Sequence, residues 1–183
     1  MTFPKEMQAP PFEVDLAITI DDDGWPPVEL LEVCIAEVAY TTFVLLTAIL
    51  NLEPQTKAVV EVSVVFANDR AVQALNRDYR QKDRPTNILS FPDTTLDADN
   101  LAQASKMGEP LMFGDIILAR ETVASEAADQ HKDLKDHMIH LIVHGLLHLA
   151  GYDHMEQNEA DEMENLEIVI LEKLGVSNPY ILS

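Results

Sequence analysis

The sequence predicts a single α+β domain, a small mixed four-stranded sheet with about five helices packed around it. Three observations lead there. Stretches with the two-residue period of strands are interleaved with stretches of helical period. Clusters of Pro, Gly, Asn and Asp punctuate the boundaries. At 183 residues and 47% apolar content, the chain is long enough for one proper core and too apolar for disorder.

Residues 1–11 hold Pro4, Pro10 and Pro11 without a periodic pattern and are expected to form a flexible leader, with the folded domain over 12–175. Phe12 to Ile20 alternates apolar and polar residues, the signature of a half-buried strand. Asp21-Asp22-Asp23-Gly24 reads as a solvated acidic turn in preference to a cation site. Pro26 or Pro27 suits a helix start, and Val28 to Leu50 continues at helical spacing. Its apolar part, from Val38, is too short to span a bilayer and meets Glu37 when extended backwards, so it reads as a buried helix. Lys57 to Ala67 is rich in β-branched residues and reads as a central strand. Asn68 can cap a short helix that runs through Leu75 to Tyr79. Ile88 to Phe91 is the next strand, Asp93 to Pro110 a surface loop, and Gly114 to Ala119 the fourth strand. Glu121 to Gln130 follows as a polar helix, and Asp133 or Lys135 opens a long apolar one. Asp153 and Glu156 have capping-box spacing ahead of a last helix, lined by Met163, Leu166, Val169, Ile170 and Leu174 and stopped by Gly175. Residues 176–183 are left as a tail.

Composition excludes several classes of function. Net charge is −20, with 32 acids against 12 bases, which argues against broad nucleic-acid binding unless the positive charge is concentrated locally. Four of the 12 bases, Arg77, Arg80, Lys82 and Arg84, do fall within eight residues. They form either an ordinary solvated helix end or a phosphate-contacting strip. One cysteine, Cys34, rules out an intrachain disulfide framework, suits a reducing cytoplasm and is expected in the core. No basic region followed by an apolar stretch marks a secretory signal, and neither a membrane span nor a lipidation motif is expected.

The most informative stretch is His144-Gly145-Leu146-Leu147-His148-Leu149-Ala150-Gly151-Tyr152-Asp153-His154. On a helix, His144 and His148 are one turn apart and can grip one ion. Gly151 can take the left-handed conformation that ends the helix and swing His154 back toward them. His140 cannot replace His154, because eight residues of helix separate it from His148 by roughly 12 Å. Three nitrogen ligands with a free coordination position are the pattern of a catalytic zinc, one ion per chain. The bland alternative is two core histidines and one at the surface. His131 and His137 are expected at the surface, while His140 could support a ligand from behind.

This stretch resembles the signature of the YbeY family of bacterial metal-dependent endoribonucleases. Its histidine and glycine spacing is also that of the metzincin proteases, so a metzincin-like metal helix is expected. Those proteases carry a glutamate general base directly after the first histidine, whereas this chain has Gly145. A second block, Leu75-Asn76-Arg77-Asp78-Tyr79-Arg80 followed by Pro85-Thr86-Asn87-Ile88-Leu89-Ser90-Phe91-Pro92, is similar to the same family, as is Gly114-Asp115-Ile116-Ile117-Leu118-Ala119. The resemblance implies a functional, catalytic role for Arg80, and Lys82 and Arg84 are then expected to bind substrate. It further implies single-stranded RNA as substrate, late 16S ribosomal RNA 3′-end maturation, ribosome quality control, and the ribosomal subunit or assembly proteins as partners. Many family members have aspartate where this chain has Asn87. Two alternatives remain open from the residues: a zinc peptidase with its base elsewhere, and a non-catalytic ribosome-assembly factor with a structural metal.

Overall fold

The computed structural model describes residues 8–53 and 57–181; most of the expected leader and the last two residues of the tail lie outside them. The elements are β1 (Glu13–Ile20), α1 (Val28–Leu50), β2 (Val59–Ala67), α2 (Asp69–Arg80), β3 (Ile88–Pro92), α3 (Ala98–Met107), β4 (Leu111–Ala119), α4 (Arg120–Asp129), α5 (Leu134–Leu149) and α6 (Gln157–Lys173). The sheet order is β1-β2-β4-β3, with β1, β2 and β4 parallel and β3 antiparallel at the edge. The α+β class and the mixed four-stranded sheet are as the sequence predicts.

Alternation along the strands builds two faces. Val60, Val62, Val64 and Phe66 of β2 join Leu111, Phe113, Ile116 and Leu118 of β4 on the larger core, beneath α1, α5 and α6. Val65, Ala67, Leu89 and Ala119 point the other way and are covered by Val72 of α2. Each large apolar side chain fully buried this way contributes roughly 1.5–3 kcal/mol. α1 is long and apolar enough to cross a membrane by length and composition. Here it lays Leu31, Ile35, Val38 and Phe43 on the core, with Phe43 edge-on to Phe12 at 5.5 Å. Cys34 is only half-buried at the side of that face.

Several boundaries differ from expectation for identifiable reasons. The stretch expected as a loop from Asp93 to Pro110 contains α3, capped by Asp97 accepting from the Asn100 amide at 2.8 Å and ended by Gly108 at φ 71°. α3 buries only Leu101 and Ala104, too few apolar positions to set up a visible helical period. β4 begins at Leu111, earlier than Gly114, and pairs with β2 from Val60 onward, with a slip in register beside Glu61 and Val62 that leaves an extra residue on β4. Gly114 sits at this irregularity with φ 142°, and a Cβ there would lie 2.4 Å from the Phe91 carbonyl oxygen and 2.9 Å from Leu149 Cδ2. The capping box of α6 pairs Glu156 with Glu159, where Asp153 with Glu156 had been expected. Asp22 leaves the solvated turn to pair with Arg120 Nε at 2.5 Å, tying the β1–α1 turn to the start of α4.

Candidate metal centre

The site is built on α5, ten of whose 16 residues are buried. Asp133 opens the helix by accepting from the amides of Lys135 (2.8 Å) and Asp136 (3.3 Å). Past Ala150, Gly151 takes φ 91°, and the Tyr152 amide turns back onto the Leu147 carbonyl at 3.1 Å. This reversal brings His154 to the pair on the helix: its ring lies 5.4 Å from that of His144 and 5.1 Å from that of His148, centre to centre. One ligand nitrogen from each of His144, His148 and His154 lies within 4.8 Å of the other two, so the three expected metal ligands are brought together. His144 and His148 are half-buried, while His154 faces solvent.

Hydrogen bonds behind the rings settle which nitrogens face forward. His148 Nδ1 donates to the Tyr152 carbonyl at 2.9 Å, and His144 Nδ1 donates to Glu167 Oε1 at 2.8 Å. Neither acceptor can supply a proton, so in the neutral form of each ring the proton sits on Nδ1 and the lone pair on Nε2. Those two Nε2 atoms point at each other only 3.0 Å apart. Two lone pairs at that distance repel, and a cation between them, a shared proton or a metal ion, turns the repulsion into attraction. Nitrogens each about 2 Å from a tetrahedral ion would be roughly 3.3 Å apart, so the pair fits a metal with little adjustment. Burial, then the neighbouring His144, push the His148 imidazole down to about 4 against the opposing pull of the Tyr152 carbonyl, which keeps it neutral and able to ligate.

Glu167 is the residue behind the site that sequence reasoning missed. It is 1% exposed, on the apolar face of α6 between Met163 and Leu171. Besides His144, its Oε2 accepts from His140 Nε2 at 2.9 Å and from the Tyr180 hydroxyl. Burial raises its pKa, but the bonds from His140 and His144 outweigh burial and hold it at about 2. It therefore stays ionised and orients His144 as metal-binding histidines are usually oriented, by a carboxylate on the far nitrogen. His140 takes the supporting role considered for it, through Glu167. The expected surface position of His137 is overturned: it is 3% exposed and bonded to Glu126 Oε2 at 3.0 Å. His131 is exposed, as expected.

The basic strip is carried by α2 and the loop that follows it. α2 covers the opposite face of the sheet, and Arg80, Lys82 and Arg84 are exposed at and beyond its C-terminal end. Among the described residues none of the three has an ion-pair partner, whereas Arg77 pairs with Asp78 at 2.8 Å. Gln81 ends α2 in the left-handed conformation at φ 58°. The loop beyond is fixed from below: Asn76 Nδ2 donates to the Arg84 carbonyl at 2.7 Å, and Gln73 Nε2 to Asp83 Oδ1 at 3.0 Å. That loop leads straight into β3, whose first residue, Ile88, packs against α5 at Gly145. Asn87 donates to Glu126 Oε2 at 3.0 Å while accepting from the Ile88 amide at 2.7 Å. An aspartate at 87 would set its carboxylate against that of Glu126, so the amide matches its neighbour in this chain.

Gly145 bears on the choice of reaction. A Cβ there would lie 3.0 Å from Ile88 Cδ1 and 3.1 Å from Ile116 Cδ1. The position where a metzincin carries its base is taken up in this chain by close packing of helix on sheet.

A family model described as "Endoribonuclease YbeY" matches residues 35–175. The chain belongs to the YbeY family. Among curated relatives, the Endoribonuclease YbeY of Rhizobium etli is 46% identical over 92% of this chain and 94% of its own length. That of Paramagnetospirillum magneticum is 56% identical over 67% of this chain and 72% of its own. A solution structure from Thermotoga maritima, 19% identical, shares the fold with a TM-score of 0.50 over 87% of this chain and 91% of that one. The match to the YbeY model spans α2, β3 and the whole of the metal helix, the blocks on which the resemblance was read.

Proposed function

We propose that this chain is a zinc-dependent endoribonuclease that cuts single-stranded RNA. We place it in the cytoplasm, in late maturation of the 16S ribosomal RNA 3′ end and in ribosome quality control, with ribosomal precursors and assembly proteins as partners. The single observation that carries the catalytic reading is the pair of opposed Nε2 lone pairs with His154 beside them, exposed and leaving room for a further ligand. A structural zinc site would be closed by a fourth side chain. The names of the relatives, Endoribonuclease YbeY, support RNA as the substrate. Gly145, packed on the sheet, speaks against a peptidase with its base at that position.

His144, His148 and His154 would hold the ion, and three nitrogen ligands suit zinc. Zinc held there would supply acidification of water and polarisation of a phosphoryl oxygen. Glu167 holds the His144 ring with Nε2 forward, and the Tyr152 carbonyl does the same for His148. Arg80, free of any carboxylate partner among the described residues, offers paired hydrogen bonds to a phosphate and stabilises its growing charge. Lys82 and Arg84, on the pinned loop that feeds β3, hold the RNA backbone. With a chain charge of −20, binding rests on these few cations and weakens as salt rises.

The test is incubation of zinc-loaded wild type and Arg80→Ala with labelled single-stranded RNA, duplex RNA and peptide. Wild type should cut the single strand, and Arg80→Ala should lower turnover about 100-fold or more with zinc content unchanged. Cleavage of peptide with RNA left intact would mark a peptidase. Zinc-loaded wild type that cuts neither would mark an assembly factor.

A further inference from the structure

The tail beyond α6 does not leave the domain. Gly175 turns the chain at φ 73°, and Val176 is buried against the core. Lys132 Nζ donates to the Pro179 carbonyl at 2.9 Å, pinning the tail to the loop between α4 and α5. A local turn, with the Tyr180 amide on Asn178 Oδ1 at 2.9 Å, then aims Tyr180 back at α6. Its hydroxyl donates to Glu167 Oε2, and its ring meets His140 edge-on at 5.7 Å and 81°. It also lines a cavity of about 300 Å³ with His144, His154, Met163 and Glu164.

We propose that Tyr180 is a positioning residue for the metal centre and that the tail is the strap that delivers it; this rests on the metal-site reading above. Glu167 can orient His144 only while its carboxylate plane is fixed. Oε1 is committed to His144, so the plane is set by whatever holds Oε2. Two donors hold it: His140 Nε2 and the Tyr180 hydroxyl. His140 is a weak anchor alone, because its Nδ1 is buried with no partner and nothing else polar fixes its ring among the described residues. Tyr180 supplies both missing restraints, a second donor to Oε2 and an aromatic wall for His140. Lysine at 132 keeps the strap closed through a single backbone carbonyl. Without the hydroxyl, the carboxylate gains freedom to rotate and His144 loses its fixed direction.

The experiment is a metal titration of the full chain against a chromophoric chelator, with zinc for affinity and cobalt for its visible ligand-field bands. The variants are Tyr180→Phe, Lys132→Met, Glu167→Gln, the double variant Tyr180→Phe/Glu167→Gln, and His148→Ala. Tyr180→Phe should weaken zinc about tenfold and alter the cobalt bands, with the melting temperature of the metal-free protein nearly unchanged. Lys132→Met should move both readouts in the same direction by less. In the Glu167→Gln background, Tyr180→Phe should have no further effect, since the hydroxyl acts through that carboxylate. Unchanged zinc affinity and cobalt bands in Tyr180→Phe, or a full tenfold loss that persists in the Glu167→Gln background, would overturn the strap. Wild type that binds no better than His148→Ala would overturn the metal site itself, and the strap with it.

Discussion

Glu167 and Asp22 both tie distant parts of the chain together, in opposite electrostatic company. Asp22 lies near the surface and faces a permanent cation, Arg120, at 2.5 Å, with Asn68 and the Gly24 amide beside it. Glu167 is buried, ionised, and faces only two imidazoles and a phenol. Leaving a buried carboxylate without a cation is costly, and hydrogen bonds offset only part of the cost. In a chain with 12 bases against 32 acids, Arg120 serves a surface turn, and no described Lys or Arg pairs with Glu167. The interior carboxylate sits one imidazole away from where a metal would sit, so an exchangeable charge reaches it through the His144 ring.

The largest expected effect comes from breaking the ring side of that arrangement. His144→Ala and His148→Ala should each lose the metal and take RNA turnover with it, by about 100-fold or more. Their metal-free stabilities should differ. His144→Ala strips the buried, ionised Glu167 Oε1 of its donor, at a cost of roughly 1–3 kcal/mol, whereas His148→Ala frees only a neutral backbone carbonyl, that of Tyr152. Thermal melts in chelator check this, and equal melting temperatures would mean that Glu167 does not depend on His144.

How much of this was legible follows from distance along the chain. His144, His148 and His154 lie within eleven residues, so helix geometry and one glycine were enough to bring them together. Asn68 and Asp133 were readable as caps for the same local reason. The partner behind His144, Glu167, lies 23 residues further along the chain, beyond the reach of local spacing. A signal was present, because Glu167 is the one acid at a core position of α6, in phase with Met163, Ile170 and Leu171. The relation of Arg80 to the histidines was not readable, because which face of the sheet a helix covers depends on connections between remote elements. His137 was misplaced because its polar flanks, Lys135 and Asp136, hid its turn toward Glu126.

Removing the carboxylate tests whether Glu167 differs in kind from Asp22. Glu167→Ala should weaken metal binding about 10- to 100-fold while leaving all three ligands present. Competition with a chelator of known affinity measures it. Unchanged affinity would reduce Glu167 to an interior counterpart of Asp22, structural and no more.

A third carboxylate, Glu126, stands between the two, accepting from buried His137 and from Asn87 with no metal ligand nearby in its shell. Burial lowers the His137 pKa below the usual 6.5, and the bond to Glu126 only partly opposes this. The fold therefore prefers the neutral ring. Its contribution is present above pH 6.5 and is lost as acid charges the unfolded chain first, between 6.5 and the lowered folded value. His137→Gln should flatten the fall in melting temperature between pH 7.5 and 5.5 relative to wild type. An identical slope in both proteins would show that the ring titrates normally.

The smallest effect is expected at Asp22. Asp22→Asn removes the charge but keeps an oxygen for the Gly24 amide, and Arg120 retains Glu121 at 3.3 Å. Because the pair is near solvent, its attraction is screened and small. The carboxyl is held below its usual range, chiefly by the Gly24 amide and then by Arg120, so what it contributes is present at neutral pH and disappears as pH falls below 3.8. Melting of Asp22→Asn should therefore be only slightly lower than wild type at neutral pH in dilute salt, and indistinguishable from it in 1 M salt. Metal affinity should be untouched. A loss of metal affinity in Asp22→Asn would erase the contrast with Glu167, because it would mean that the surface clamp and the buried carboxylate report to the same site.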